Sequence, residues 1–200
     1  MRMSAEDRRD RLVEAAIRVM TRDGVAKATT RAIASEAGMP LGVFHYAFHS
    51  KQELVTLVTE TIARQSKAEI DAAVFANGTN LDLYTVILAG LTAYFDHVVA
   101  HPHEHLVTYE LTTAALREPE LEDVARRQYD YYLKENEQLL QAAAELFGFE
   151  FTESVAVVTR YTLSVVDGLA LNWLARGDEE EAREVLRLTA RAAMTLVRPR

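Results

Sequence analysis

The 200-residue chain contains no cysteine, which excludes disulfide frameworks, thiolate-based zinc sites and thiol catalysis. It lacks an unbroken apolar run of the ~18–20 residues that a membrane span needs, and its N-terminus lacks the charged-then-apolar pattern of a secretory signal. The expectation is a cytoplasmic protein with no membrane partner. No segment alternates apolar and polar residues as a half-buried strand does, so the fold class expected is all-α. The motifs supply no nucleophile–base pair, no phosphate-cradling glycine loop and no metal quartet, so neither a catalytic residue nor a cofactor is assigned and an enzyme is not expected. Positive charge is also in deficit, with a formal net charge of −8. The deficit is uneven: residues 1–54 carry nine Lys or Arg against seven Asp or Glu, a balance of +2, which leaves −10 for the remainder. A mildly basic head on an acidic body can engage DNA through the head while the body discourages nonspecific adhesion.

What the chain does contain is concentrated in residues 29–54, TTRAIASEAGMPLGVFHYAFHSKQEL. Thr29 and Thr30 are capping residues for a short helix in which Ile33, Ala34 and Ala37 recur at helical spacing. Gly38 stops that helix, because a glycine just past a helix end accepts the left-handed backbone that turns the chain, and Pro40 restarts a helix where its missing N–H costs nothing. The second helix is expected over residues 40–48. Phe48 with Val43 or Phe44 points inward, which turns Pro40, Leu41, Gly42, His45 and Tyr46 outward. An ordinary solvated face would carry Lys, Glu and Gln. A small residue, an aliphatic knob, an imidazole and a phenol suit instead a helix lying in the DNA major groove, approaching thymine methyls and donating to phosphates or base edges. Ser50 and Glu53 read as a capping box for the next helix, with Lys51 in its first turn as a phosphate anchor.

This helix-turn-helix resembles the DNA-binding signature of the TetR/AcrR family of bacterial transcriptional regulators. The matching residues are Thr29-Thr30, Ile33-Ala34, Ala37-Gly38, Gly42, Phe44-His45-Tyr46, Phe48, Ser50-Lys51 and Leu54. The sequence departs from that pattern at His45, where the family most often has a phosphate-contacting Tyr, and at Ala47, where it usually has His or Tyr. The DNA-facing set assigned here is Lys27, Thr29, Thr30, Arg31, Pro40, Leu41, Gly42, Val43, His45, Tyr46 and Lys51. The resemblance also implies a dimer.

The rest of the chain reads as helices. Ser4 and Asp7 form a capping box for a first helix with the apolar stripe Leu12, Ala15, Ala16, Val19 and Met20, ending at Gly24. A fourth helix runs from Ser50 to about Phe75, and Asn77-Gly78 then turns the chain. The body shows five further helical patterns: residues 81–100; from Pro102 to about Leu116; from Pro119, as a first-turn proline, to a stop at Gly148; from a Thr152 cap to Arg176; and from an Asp178–Glu181 capping box onward, with the stripe Ala182, Val185, Leu186, Thr189, Ala193, Leu196 and Val197. The domains expected are a helix-turn-helix head at 1–50 and a helical ligand-binding and dimerisation body at 51–200.

The last two helices are apolar on most faces, and a helix hydrophobic all round must be buried. They are expected to pair with their copies as a four-helix bundle, with Val165, Gly168, Leu169, Val185, Thr189, Ala193 and Leu196 at the dimer interface. Polar and aromatic residues on otherwise apolar helices mark the body as the seat of a small-molecule effector pocket, drawn from Tyr94, Tyr109, Glu110, Tyr129, Tyr132, Tyr161, Asp167, Asn172 and Trp173. His97, His101 and His105 would share one helical face, but Pro102 disfavours helical geometry at His101 and breaks that stripe, so no metal is expected there. The expected function is a ligand-responsive repressor that binds double-stranded DNA at a palindromic operator as a homodimer. The alternatives are an activator or ligand-independent DNA-binding protein, and, from a different class, a small-molecule carrier with a vestigial head.

Overall fold

A computed structural model describes residues 3–76, 82–118 and 121–200. In chain order they form α1 (Ala5–Asp23), α2 (Thr30–Glu36), α3 (Leu41–Ala47), α4 (Lys51–Phe75), α5 (Leu83–Ala100), α6 (Pro102–Ala115), α7 (Glu122–Phe147), β1 (Phe149–Phe151), α8 (Val155–Arg176), α9 (Glu179–Ala193) and β2 (Val197–Pro199). The all-α class holds. The two three-residue strands are an addition that the sequence did not announce: they pair antiparallel, Phe149 opposite Pro199 and Phe151 opposite Val197. A strand this short shows too little alternation to register, and its partner lies at the far end of the chain.

Local chemistry accounts for most helix boundaries. Both arms of the expected box at α1 form, the Asp7 N–H donating to Ser4 Oγ at 2.9 Å and the Ser4 N–H to Asp7 Oδ2 at 3.1 Å. Asp178 accepts the Glu181 N–H at 2.9 Å and starts α9. The expected Thr152 cap is corrected: Ser154 caps α8, and the Thr152 N–H instead donates to the Leu196 carbonyl, prolonging the strand pairing. The expected turn at Asn77-Gly78 and the helix start at Pro119 lie outside the described residues.

Two compact units emerge, the first comprising Met1–Ile62 with His103–Tyr129 and the second Ala63–Pro102 with Asp130–Arg200. This division differs from a boundary at residue 50. The reason is core sharing: Val107, Leu111, Ala115, Leu121, Val124 and Ala125 pack in the same cluster as Leu12, Ala16 and Met20 of α1, Ile33 of α2, Phe44 of α3 and Val58 of α4. In the second unit Leu91 and Phe95 of α5 pack with Leu169 of α8 and Ala182, Leu186 and Ala190 of α9. A further cluster joins Val74, Val86, Ala143, Ala144 and Phe149. The α9 stripe is therefore Ala182, Leu186 and Ala190, while Val185 faces outward.

By length and composition alone, α5 is long and apolar enough to cross a membrane, with a mean hydropathy of 1.4 over 18 residues. Core packing accounts for part of that character: Val86, Leu91, Phe95 and Val98 are buried in protein, and Asp96 is held by Arg183 at 2.7 Å. The approach of α5 to α4 is set at Gly90, where an added Cβ would lie 2.9 Å from Val74 Cγ2. A large side chain there must push the two helices apart. Gly90→Leu is expected to destabilise the protein by about 1–3 kcal/mol, as overpacked cores generally do; a urea midpoint equal to that of the parent would contradict the tight α4–α5 seat.

Candidate nucleic-acid interface

The two short helices of the first unit are built as a helix-turn-helix. Thr29 Oγ1 accepts the Ala32 N–H at 3.1 Å and starts α2, so Thr29 is the cap and Thr30 the first helical residue. Gly38 turns the chain with φ +66°, and the Met39 N–H returns to the Ala34 carbonyl at 2.9 Å. Pro40 is the residue just before α3 rather than its first, and its carbonyl accepts the Val43 N–H at 2.9 Å. Phe44 and Phe48 are buried with ring centroids 5.3 Å apart, and Val43 is half-buried against the same core.

With those residues inward, the opposite face of α3 is open. Tyr46 is 94% exposed and Leu41 37%, and Pro40, Gly42 and His45 are exposed beside them. Lys27, Thr29, Thr30, Arg31 and Lys51 are exposed as well, so of the eleven residues assigned to DNA from sequence only Val43 is partly covered. Lys51 Nζ stands 4.0 Å from Glu118 Oε2, an exposed pair of little energetic weight.

Electrostatic contacts that no motif announces hold this face in place. Arg9 of α1 reaches across to the α3–α4 junction: its Nη2 is 2.5 Å from Glu53 Oε1, its Nη1 donates to the Ala47 carbonyl at 3.4 Å, and its guanidinium lies 5.4 Å from the Phe48 ring centre. Glu53 also accepts the His49 N–H at 2.8 Å, while its own N–H donates to Ser50 Oγ at 3.1 Å. The expected capping box is thus shifted by one residue on its return arm. The His49 backbone donor holds the Glu53 carboxyl below its ordinary range; burial opposes it, and the Arg9 guanidinium adds to the lowering. At the other end of the motif, Arg18 and Arg22 both bind Glu36, at 3.0 and 2.9 Å, and tie α2 to α1. Their hydrogen bonds, Arg22 first, lower the Glu36 carboxyl as well.

Comparison with known proteins decides what this arrangement belongs to. Residues 12–58 match the family described as bacterial regulatory proteins, tetR family, and residues 85–198 match the BetI-type transcriptional repressor C-terminal family. The chain belongs to the TetR family of bacterial transcriptional regulators. It is 33% identical over 175 residues to the HTH-type nicotine-responsive transcriptional repressor HdnoR of Paenarthrobacter nicotinovorans, covering 88% of each chain. A solved TetR-family regulator from Rhodococcus sp. superposes with a TM-score of 0.78 at 19% identity, over 94% of this chain and 99% of that one. A solved multidrug binding protein, EbrR, complexed with imidazole, is 31% identical with a TM-score of 0.64, over 90% of this chain and 88% of that one.

In this TetR-family chain the residues assigned to an effector pocket do not gather in one unit. Tyr109, Glu110 and Tyr129 fall in the first, and Tyr94, Tyr132, Tyr161, Asp167, Asn172 and Trp173 in the second. Glu110 has a structural partner, its Oε2 accepting the Val25 N–H at 3.1 Å just after α1. Trp173 packs edge-on to Phe95 with ring centroids 5.7 Å apart, and its indole N–H is buried without an acceptor among the described residues. A polar cleft in the first unit, lined by Arg9, Glu53, Thr56, Glu60, Asp123 and Arg127 among others, includes none of the nine.

Of the residues assigned to a dimer interface, Leu169 is buried within its own chain, Gly168 and Val185 are exposed, and Val165, Thr189, Ala193 and Leu196 are half-buried. α8 and α9 were expected to be covered by a second copy, and a single chain does not cover them by itself. One chain leaves Val157 57%, Leu171 51% and, on α9, Leu188 58% exposed. None of the three was in the assigned interface set, although Val157, Tyr161, Gly168 and Leu171 lie at helical spacing along one exposed stripe.

The Glu53 junction has a defined pH signature. A carboxyl lowered by folding contributes stability that is complete above its unfolded pKa and is lost as pH falls through the folded value. Glu53→Gln is expected to cost about 1 kcal/mol at pH 7 through weakened hydrogen bonds, with the gap to the parent narrowing below about pH 4. Urea midpoints at both pH values test this, and a gap that widens in acid would refute the assigned role.

Proposed function

We propose that the chain is a ligand-responsive repressor that binds a roughly palindromic operator as a homodimer. The observation that carries this reading is the open outer face of α3, where a phenol, an imidazole and an aliphatic side chain stand exposed around Gly42. Two copies of Leu41–Ala47 would enter successive major grooves about 34 Å apart on one side of the duplex. Lys27, Arg31 and Lys51 would contact flanking phosphates, with Thr29 and Thr30 at the N-terminus of α2 beside them.

Dimerisation is supported by the uncovered apolar side chains of α8 and α9, with the open space over Gly168 allowing close helix approach. An effector is supported by two relatives, a repressor described as nicotine-responsive and a protein described as multidrug binding. The buried indole N–H of Trp173 offers such a molecule a donor in the second unit. Effector binding would favour a dimer whose heads are wrongly spaced for DNA, by no more than its differential affinity for the two states. Such a regulator acts in the cytoplasm and has no catalytic role.

Fluorescence anisotropy on the DNA upstream of the protein's own coding region, run as a salt series, tests the reading. The parent should bind tightly with a steep salt dependence. Tyr46→Ala with Lys51→Ala should weaken binding at least about tenfold, and loss of the Lys51 phosphate contact should reduce the salt slope by about one. If a random-sequence selection also yields no bound site, the repressor reading falls. Separately, Val157→Glu with Leu188→Glu should shift the protein to monomer in sedimentation; a dimer that survives both charges places its interface elsewhere.

A further inference from the structure

The body holds a second constellation that regulation by an organic effector does not use. On α5, His97 is 2% exposed and His101 follows it at i+4. Pro102 does take His101 out of helical geometry, to φ −127° and ψ 51°. Yet the His101 N–H still donates to the His97 carbonyl at 2.9 Å, and the two rings remain on one face with centroids 4.7 Å apart. The proline therefore separates His103 and His105, which fall in the first unit, but leaves this pair intact. Across from the pair, on α4, stands Glu69, whose Oε1 is 3.1 Å from His97 Nδ1. One ligand-capable atom from each of Glu69, His97 and His101 lies within 4.8 Å of the others.

We propose that Glu69, His97 and His101 form a binding site for a divalent late first-row transition metal, with zinc as the reference ion. Metal–nitrogen and metal–oxygen bonds of about 2.0–2.1 Å place neighbouring ligand atoms roughly 2.9–3.4 Å apart in tetrahedral or octahedral shells, and the His97–Glu69 separation already meets that spacing. The wider separations close by rotating the two exposed side chains, Glu69 and His101, about a buried and fixed His97. Three protein ligands leave the remaining positions to water. Two imidazoles with one carboxylate favour zinc, nickel, cobalt or copper over magnesium and calcium, which prefer all-oxygen shells. On the same helices Gly90 of α5 faces Val74 of α4, where an added Cβ would lie 2.9 Å from Val74 Cγ2. A bound ion would tie α4 to the last turn of α5.

The test uses full-length, tag-free protein stripped with a chelator and titrated with zinc against a chromophoric indicator, with cobalt(II) absorption as a second readout. The parent should take up one tight equivalent per chain, give a visible cobalt band and melt at higher temperature with zinc. Glu69→Gln combined with His101→Ala alters only exposed side chains and should retain the parental circular dichroism. It should lose the cobalt band and bind zinc at least about 10–100-fold more weakly, as removal of a ligand demands. His103→Ala should match the parent. Zinc uptake by the double variant equal to that of the parent, or no tight equivalent in the parent, overturns the proposal.

Discussion

A seven-residue helix in water does not hold together by itself, and the helix-turn-helix of this protein is two of them. Everything in the first unit follows from that constraint. Ile33 and Ala34 of α2, with Phe44 and Phe48 at α3, are buried in one cluster with Leu12, Ala16 and Met20 of α1 and Leu54 and Val58 of α4. Once those residues supply the stability, Tyr46, 94% exposed, is free to be chosen for what it touches outside, and Leu41 and His45 carry only part of the packing. The same need for apolar area draws residues of α6 and the start of α7 into the head's core, which is why a sequence boundary at residue 50 does not describe the compact unit.

Charge refines what burial begins. Glu36 is gripped by two arginines of α1, and Glu53 by a third together with a backbone N–H. Each exposed pair contributes little alone. Their position matters more, since one set fixes α2 against α1 and the other fixes the junction where α3 gives way to α4. Several basic residues of the head are thus committed to structure, but the acids they pair with are committed too, so its balance stays at +2. Lys27, Arg31 and Lys51 are among the cations left exposed.

What the sequence disclosed was local. Ser4 with Asp7, Thr29, Gly38 and Asp178 signal their roles within three or four residues, and the structure uses each at that position. The outward face of α3 was legible for the same reason, because helical spacing sorts Phe44 from His45 and Tyr46. Contacts closed across the fold left no such trace. Nothing near Arg9 announces Glu53, nothing near Glu110 announces the Val25 N–H, and nothing near His97 announces Glu69. The stripe on α8 shows the complementary failure: uniform hydrophobicity told that the helix must be covered, but only packing tells that Leu169 is covered by its own chain and Leu171 is not.

The pairing of β1 with β2 is small, yet it changes the topology of what lies between. The chain leaves Phe151, runs out along α8, returns along α9 and meets its starting point again at Val197, with Glu150 and Arg198 paired across the join at 3.3 Å. α8 and α9 are therefore a closed loop rather than an open hairpin, zipped at the end opposite the turn at Gly177. Closure of that kind removes the freedom of the two helices to splay. The apolar side chains left uncovered on α8 and α9 therefore belong to one loop tied at both of its ends.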